Sequence, residues 1–520
     1  MKQKSLKTNA ILNTLKTVLS LIFSLITFPY VSRILQVENI GIYNFCSSIV
    51  SYFVLLAGLG ISTYAIREGI QYREDKEQIE KFVSEVFSIN ILSTVISYAC
   101  LIITVIVGEQ FHNYTLAIAI LATEIIFTTI GVSWICNIYE DFLFATIQSI
   151  GVQALSLILT LALVKSSDDL YKYIAIIAFS RSASHIINLI YVRIKYCKFK
   201  FILHCNLKKH IKPVLVIFST SVAISIYVGS DIIMLGFMTN DYQVGIYSTA
   251  VQIYTIVKNI LAAALMVLIP RFTLLLQRGE KKAANELFSH VFNILMILML
   301  PSIVGLYITS CDVVRLVGGE NYLGGTNVLR LLCIAIFFSL LAYLYTQCIL
   351  VPNKKEKAVF KATVISAGMN IGLNFILIPL FGINGAAITT IIAEIIVCFM
   401  SIHYSKNDIH LNHINHDLVS IIIGCIGIVI VGKACYIVFT GSYLVRLAVT
   451  ILGSAIVYVA ILLVGKNSVM MEVIQKLRKR GYASSMCHTY ISVNLSLMVF
   501  LSISQSMELM NVRTEFIFCE

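Results

Sequence analysis

Five ionisable side chains, Glu124, Arg181, Asp231, Lys258 and Glu394, lie within apolar stretches long enough to cross a bilayer. A charge at mid-membrane costs roughly 2.5–3.5 kcal/mol on insertion scales, so five together point to a wet, polar cavity. In such a cavity a guanidinium or ammonium group receives an anion, and a carboxylate holds a cation. The plainer reading is internal pairing between helices, Lys258 with Asp231 for example. Lys16 and Lys361 lie nearer one end of their stretches. Arg67 and Arg271 close two stretches at corresponding positions, where guanidinium forks match phosphate oxygens or simply anchor the chain at the membrane face. The acidic pairs Glu140-Asp141 and Asp168-Asp169 fall in short loops, without the protected pocket that separates the pKa values of catalytic carboxylates. His403, His410, His413 and His416 gather in one loop, a weak metal or pH-sensing pattern against the alternative of solvated residues.

The elements that must position these residues are set by composition. Hydrophobic residues make up 58% of the 520, charged residues 13%, and there are six prolines, with a mean hydropathy of +0.87. That much apolar surface requires lipid as solvent, so the fold class is an all-α integral membrane protein. Runs of about 20 apolar residues place fourteen spans at roughly 10–32, 41–65, 83–107, 115–137, 142–164, 171–193, 213–238, 244–268, 287–309, 326–350, 358–380, 384–404, 417–439 and 442–464. The first run is full length and no small-residue cleavage pattern follows it, so no cleavable signal peptide is expected. With the N-terminus inside, the inner segments as far as Arg480 carry 27 Lys and Arg, while the outer loops hold Arg33, Lys165, Lys172 and Arg315. Positive charge therefore predicts both termini in the cytoplasm, and the net charge of +12 reads as topology and attraction to membrane lipids, with no nucleic-acid partner. Thirteen cysteines show no metal-ligand spacing and read as small hydrophobes between helices; no metal or cofactor is expected.

The chain is also duplicated. Ile40-Gly41-Ile42-Tyr43 recurs 204 residues later as Val244-Gly245-Ile246-Tyr247, and in each copy an arginine follows the glycine by 26 residues, Arg67 and Arg271. Both halves start inside and hold an even number of spans, which predicts parallel repeats about an axis normal to the membrane. The expected domains are a six-helix lobe at 1–193, a basic linker at 194–212, a second six-helix lobe at 213–404, two further helices at 405–465 and a tail at 466–520. The linker alternates basic residues with Phe199, Phe201 and Ile202, which suits a segment on the inner leaflet or a solvated connector. Tyr490 to Ser504 is too short to span and reads as tail. Gly368-x-x-x-Gly372 marks a face for close helix contact. Pro270, Pro301 and Pro379 mark span ends or kinks. The short loops leave no soluble catalytic domain, and Ala460 stands where a phosphate loop ending at Gly465-Lys466 needs its first glycine. ATP hydrolysis is excluded, so energy must come from an ion gradient, the membrane potential or the cargo's own gradient.

The segment from Trp134 to Tyr173, with Glu140-Asp141-Phe142 and then Val164-Lys165-Ser166, Asp168-Asp169 and Tyr171, resembles bacterial O-antigen and capsule repeat-unit flippases. These form the polysaccharide branch of the multidrug/oligosaccharidyl-lipid/polysaccharide exporter superfamily. The second half agrees in Asp231 to Gly236, Val244 to Tyr247, Pro270-Arg271, Asn370, Asn374, Pro379, Gly382 to Ala387 and Glu394. The resemblance covers about residues 5 to 465. It implies a V-shaped pair of six-helix lobes around a cationic central cavity. The implied cargo is an undecaprenyl-diphosphate-linked oligosaccharide, moved across the bacterial plasma membrane by alternating access coupled to H⁺ or Na⁺. On that reading Arg181, Lys258, Arg67, Arg271 and Lys16 bind the cargo, and Asp231, Glu124 and Glu394 bind the coupling ion. Candidate partners are a polysaccharide polymerase and a chain-length regulator. The protein is then no enzyme.

Other readings stay open at this point. A multidrug or organic-cation antiporter of the same superfamily would want acidic and aromatic faces, which the cations here oppose. A lipid-II-type flippase shares the same polyprenyl diphosphate and differs in its sugar. A membrane polymerase or ligase would need a substantial outer loop, which this chain lacks.

Overall fold

The computed structural model describes residues 6–202, 207–266, 268–409 and 415–479, and among them every regular element is helical. In lipid a backbone must satisfy its own polar groups, and a helix does so within one segment. The α-helices are α1 (Leu6–Gly58), α2 (Ile61–Gly69), α3 (Lys76–Val107), α4 (Thr115–Ile130), α5 (Trp134–Ile138), α6 (Phe142–Leu163), α7 (Leu170–Lys195), α8 (Leu207–Met238), α9 (Asp241–Met266), α10 (Ile269–Gln277), α11 (Lys281–Gly318), α12 (Thr326–Tyr345), α13 (Glu356–Phe381), α14 (Ile383–Ser405), α15 (Asn415–Val438), α16 (Tyr443–Val464) and α17 (Ser468–Lys479). The tail beyond residue 479, with His410 and His413, lies outside the described residues.

Twelve of the described segments are long and apolar enough to cross a membrane, against the fourteen expected. One of the twelve, Lys16–Tyr72, runs over both of the first two expected spans, and α9, on the eighth expected span, is not among them. Within α1 the helix is interrupted at Gln36, whose φ of 65° and ψ of 179° no helical residue adopts. The expected span 115–137 also divides, because α4 stops at Ile130, Val132 takes a φ of 39°, and α5 resumes at Trp134.

Contacts group the chain into two compact units, Met1–Val251 with Val317–Val328 and Phe360–Ala393, and Gln252–Leu316 with Leu329–Val359 and Glu394–Glu520. The first unit is built on a reciprocal contact of the repeated motif. A Cβ added to Gly41 would lie 1.8 Å from the Asp241 carbonyl oxygen, and one added to Gly245 would lie 2.0 Å from the Val37 carbonyl oxygen. Asp241 stands 204 residues beyond Val37, as Gly245 does beyond Gly41, so the two copies meet through the same surface. An isologous contact of this kind is the signature of a two-fold relation. Asn44 donates 3.0 Å to the hydroxyl of Ser248, again its own counterpart. The Gly368-x-x-x-Gly372 face is different, since an added Cβ at either glycine meets nothing within 4 Å. The close helix approach expected there is made by Gly41 and Gly245 instead.

The stretch from Cys197 to Ile202 is extended and is not a free connector. It runs along α3, with the amides of Lys198, Lys200 and Ile202 donating in turn to Glu80, Ser84 and Ser88. Two extended residues advance about 6.6 Å and four helical residues about 6 Å, which is why every second amide finds every fourth side chain. Phe199 seats edge-on against Phe87, with ring centres 4.9 Å apart. At the N-terminus of α3, Asp75 accepts the amides of Glu77 and Gln78, and the Gln78 amide leads in holding its carboxyl below the usual range.

In the second unit α15 lies along α16. Arg446 of α16 grips fully buried Asp312 of α11 with two bonds of 2.9 and 2.5 Å, and its guanidinium lies 4.5 Å from the Tyr436 ring centre. Asp417 at the start of α15 accepts the Ser468 amide and hydroxyl, which ties α17 to α15. Gly41→Ala or Gly245→Ala forces a Cβ into a carbonyl and is expected to destabilise the protein by about 1–3 kcal/mol. Thermal unfolding in detergent checks this, with Gly368→Ala expected to stay at or above the wild-type midpoint.

Candidate functional site

Asp231, on α8, is 7% exposed and receives three donors from three helices. The hydroxyls of Tyr247 (α9, 2.8 Å) and Thr390 (α14, 2.6 Å) reach one carboxylate oxygen, and the Asn374 amide (α13, 2.7 Å) reaches the other. A second layer fixes Asn374, which donates to Asn370 at 3.2 Å and accepts from Thr389 at 2.5 Å, while Ser230 donates to Asn370 at 2.9 Å. The sequence arranges this directly: Asn370 and Asn374 stand one turn apart on α13 and present one polar face in an apolar helix. Hydroxyl and amide donors satisfy the buried carboxylate in place of a basic side chain.

The other four mid-span ionisable residues form two ion pairs, one in each unit. In the first, Arg181 of α7 meets Glu124 of α4 at 2.6 Å. Tyr43, from the repeated motif, packs edge-on against Tyr173 two turns before Arg181 on α7, with ring centres 5.0 Å apart. His185 stands one turn beyond Arg181, its ring nitrogen 3.5 Å from the Thr128 hydroxyl. In the second unit, Lys258 of α9 stands 3.7 Å from Glu394 of α14. Tyr254, one turn before Lys258, links them: the ammonium donates 3.2 Å to its hydroxyl, which donates 3.0 Å to Glu394. In both pairs the cation is the more exposed member, at 41% against 18% for Arg181 and Glu124, and 29% against 6% for Lys258 and Glu394. Each arrangement presents positive charge backed by a less exposed carboxylate, half-buried Glu124 in one and buried Glu394 in the other.

Lys258 thus pairs with Glu394, not with Asp231, which the sequence reading offered as its structural partner. Lys16 is half-buried on α1, and Lys361 is exposed on α13. Arg67 and Arg271 are both exposed at helix ends, and Arg67 lies 3.4 Å from its neighbour Glu68. Neither joins the buried clusters. The loop acids have structural work. Asp169 accepts the amides of Lys165 and Ser166 and pairs with Lys172 at 2.6 Å. Asp141, expected to be solvated, is 4% exposed and takes donors from Tyr191, Lys195 and Tyr196. Sequence reasoning missed Tyr254 as the partner of Glu394, Thr390 as a partner of Asp231 and Thr389 as a partner of Asn374, and their one signal was polar groups at helical spacing in apolar surroundings. Tyr247→Phe removes one of the three bonds to a buried carboxylate and is expected to cost about 1.5–3 kcal/mol in a thermal melt, whereas an unchanged midpoint would mean the bond is not made.

With this geometry in place, the chain can be set beside known proteins. Residues 6–276 match the family described as "Polysaccharide biosynthesis protein". A protein of Escherichia coli K12 named "Putative O-antigen transporter" is 25% identical over 401 residues, 74% of this chain and 92% of that protein. The archaeal protein "Probable low-salt glycan biosynthesis flippase Agl15" of Haloferax volcanii is 25% identical over 178 residues, 34% of this chain and 38% of that one. Among solved structures, "Lipid II flippase MurJ, inward closed conformation" superposes with a TM-score of 0.69 at 18% identity, covering 90% of this chain and 99% of its own. An inward-facing multidrug resistance MATE family transporter of the MOP superfamily superposes with a TM-score of 0.58 at 13% identity, covering 75% and 94%. At those identities the two structures establish the shared fold.

Proposed function

The chain belongs to the polysaccharide biosynthesis protein family, and from that premise we propose that it flips polyprenyl-diphosphate-linked oligosaccharide units across a bacterial plasma membrane. It is a multi-pass membrane transporter of polysaccharide biosynthesis, not an enzyme. The observation that carries the cargo assignment is that two cations set in apolar helical stretches, Arg181 and Lys258, are each held by a carboxylate and are each the more exposed member of the pair. A diphosphate entering hydrocarbon must exchange water for fixed donors, and a guanidinium fork and an ammonium supply charge-assisted bonds to its oxygens. Arg67 and Arg271 at the helix ends, expected to face the cytoplasm with both termini, suit first capture of the headgroup. Lys16, half-buried on α1, is a further basic candidate for the cargo.

Energy for export calls for a coupled ion. Glu124 and Glu394 each face a cation, which leaves Asp231 as the acid suited to H⁺ or Na⁺. Its carboxylate oxygens lie beside the hydroxyl oxygens of Tyr247 and Thr390, and carboxylate and hydroxyl oxygens suit hard cations. Asp231→Asn is then expected to remove the dependence of polysaccharide export on the ion gradient. A polysaccharide polymerase and a chain-length regulator fit as the partners that receive the flipped unit.

A strain lacking the gene and complemented with Arg181→Ala or Lys258→Ala tests the cargo assignment. The expected result is membrane-inserted protein with surface polysaccharide down at least tenfold and complete lipid-linked units accumulating inside. Export at the wild-type rate by both variants overturns the role of these cations. Unchanged polysaccharide with new sensitivity to cationic drugs would favour an antiporter.

A further inference from the structure

We propose that Glu124 is an exchangeable counter-anion: it occupies Arg181 in the empty carrier, the cargo's diphosphate displaces it, and its return drives the cargo off. The inference rests on the reading that Arg181 receives a diphosphate. Glu124 takes Arg181 through one guanidinium nitrogen at 2.6 Å, and the guanidinium remains the more exposed partner. Arg181 therefore stays reachable by a second anion while already carrying one.

Two anions on one guanidinium repel, and the low dielectric of the membrane interior strengthens that repulsion. An arriving diphosphate has higher charge and more acceptor oxygens, so it wins the fork when the cargo is present. When it leaves, Glu124 closes again on Arg181, and the empty carrier returns without a bare cation in hydrocarbon. Along α7 from Arg181, Tyr173 with Tyr43 packed on it stands two turns before, and His185 stands one turn beyond. None of the three is acidic, so Glu124 is the one carboxylate described against Arg181.

The second unit repeats the arrangement with different residues. Glu394 backs Lys258 at 3.7 Å and is bonded through Tyr254, and the lysine is again the exposed member. That recurrence favours a working device over an incidental pair, because the two pairs come from different helix combinations, α4 with α7 and α9 with α14. A carboxylate whose task is only to orient its cation behaves oppositely. Removing it lowers anion affinity, whereas removing a competitor raises it.

The sign of the effect is therefore the test. Farnesyl diphosphate, a short soluble probe, is titrated calorimetrically into the full chain in lipid nanodiscs at fixed salt. Glu124→Gln is expected to bind it at least tenfold more tightly than the wild type, yet to export polysaccharide more slowly in cells because release is impaired. Arg181→Ala is expected to lose the binding. Equal or weaker binding by folded Glu124→Gln overturns the counter-anion role and leaves Glu124 as an orienting partner. Binding that survives Arg181→Ala in folded protein overturns the diphosphate assignment of Arg181 itself, a separate failure. If Glu124→Gln is not recovered folded, Glu394→Gln puts the same question to Lys258, with tighter binding expected and weaker binding contradicting the proposal.

Discussion

A cation in the hydrocarbon layer must bring its counter-charge with it, and much of this structure follows from that constraint. Arg181 has Glu124, Lys258 has Glu394 through Tyr254, and Arg446 has buried Asp312. Asp231 obeys the same rule by another route, replacing a basic partner with two hydroxyls and an amide. These pairings decide how helices rotate about their own axes, since an apolar helix surface in lipid has little else to fix its orientation. The function grows from the same constraint. A group that is costly to bury and is nonetheless kept has to be used, and a cation with an exposed outer face is suited to an anionic cargo.

Duplication supplies the frame that holds these groups. Gly41 and Gly245 let the two copies of one motif meet backbone to backbone, each glycine against the residue four before the other. No side chain larger than hydrogen fits either position, so the contact specifies a single register. Asn44 and Ser248 add one hydrogen bond between equivalent positions. On this frame the two copies have diverged in chemistry: the Tyr43 copy packs edge-on against Tyr173, while the Tyr247 copy bonds the Asp231 carboxylate.

The all-helical membrane fold was legible because apolar run length and the absence of alternatives in lipid leave little choice. The five mid-span ionisable residues were legible for the same reason, as costly exceptions in apolar runs. Their pairing was not. Lys258 has Asp231 and Glu394 as comparable partners on composition; Tyr254 shares its face by i,i+4 spacing, and only the packing of α9 against α14, which brings that face to Glu394, selects Glu394. The Gly368-x-x-x-Gly372 spacing predicted a contact face that stays open, because small residues permit close approach without providing a neighbour to approach. The segment 197–202 read as a leaflet segment or a solvated connector, and its docking on α3 was not legible because the bonds run through backbone amides, which no side-chain pattern reveals. The interruption at Gln36 falls in the polar break expected between the first two spans, and the span count differs because Lys16–Tyr72 runs on as one segment through it and α9 is not among the twelve.

The central claim is that this chain moves a polyprenyl-diphosphate-linked oligosaccharide from one leaflet to the other. The most direct measurement places the purified protein in liposomes carrying such a lipid in both leaflets and follows how much of it an impermeant oxidant of the sugar can reach with time. The account predicts that protein-containing vesicles expose essentially the whole pool, while empty vesicles and vesicles carrying Arg181→Ala stop at the outer-leaflet half. Full-length protein that leaves the inner half protected under an imposed ion gradient of either sign would contradict it.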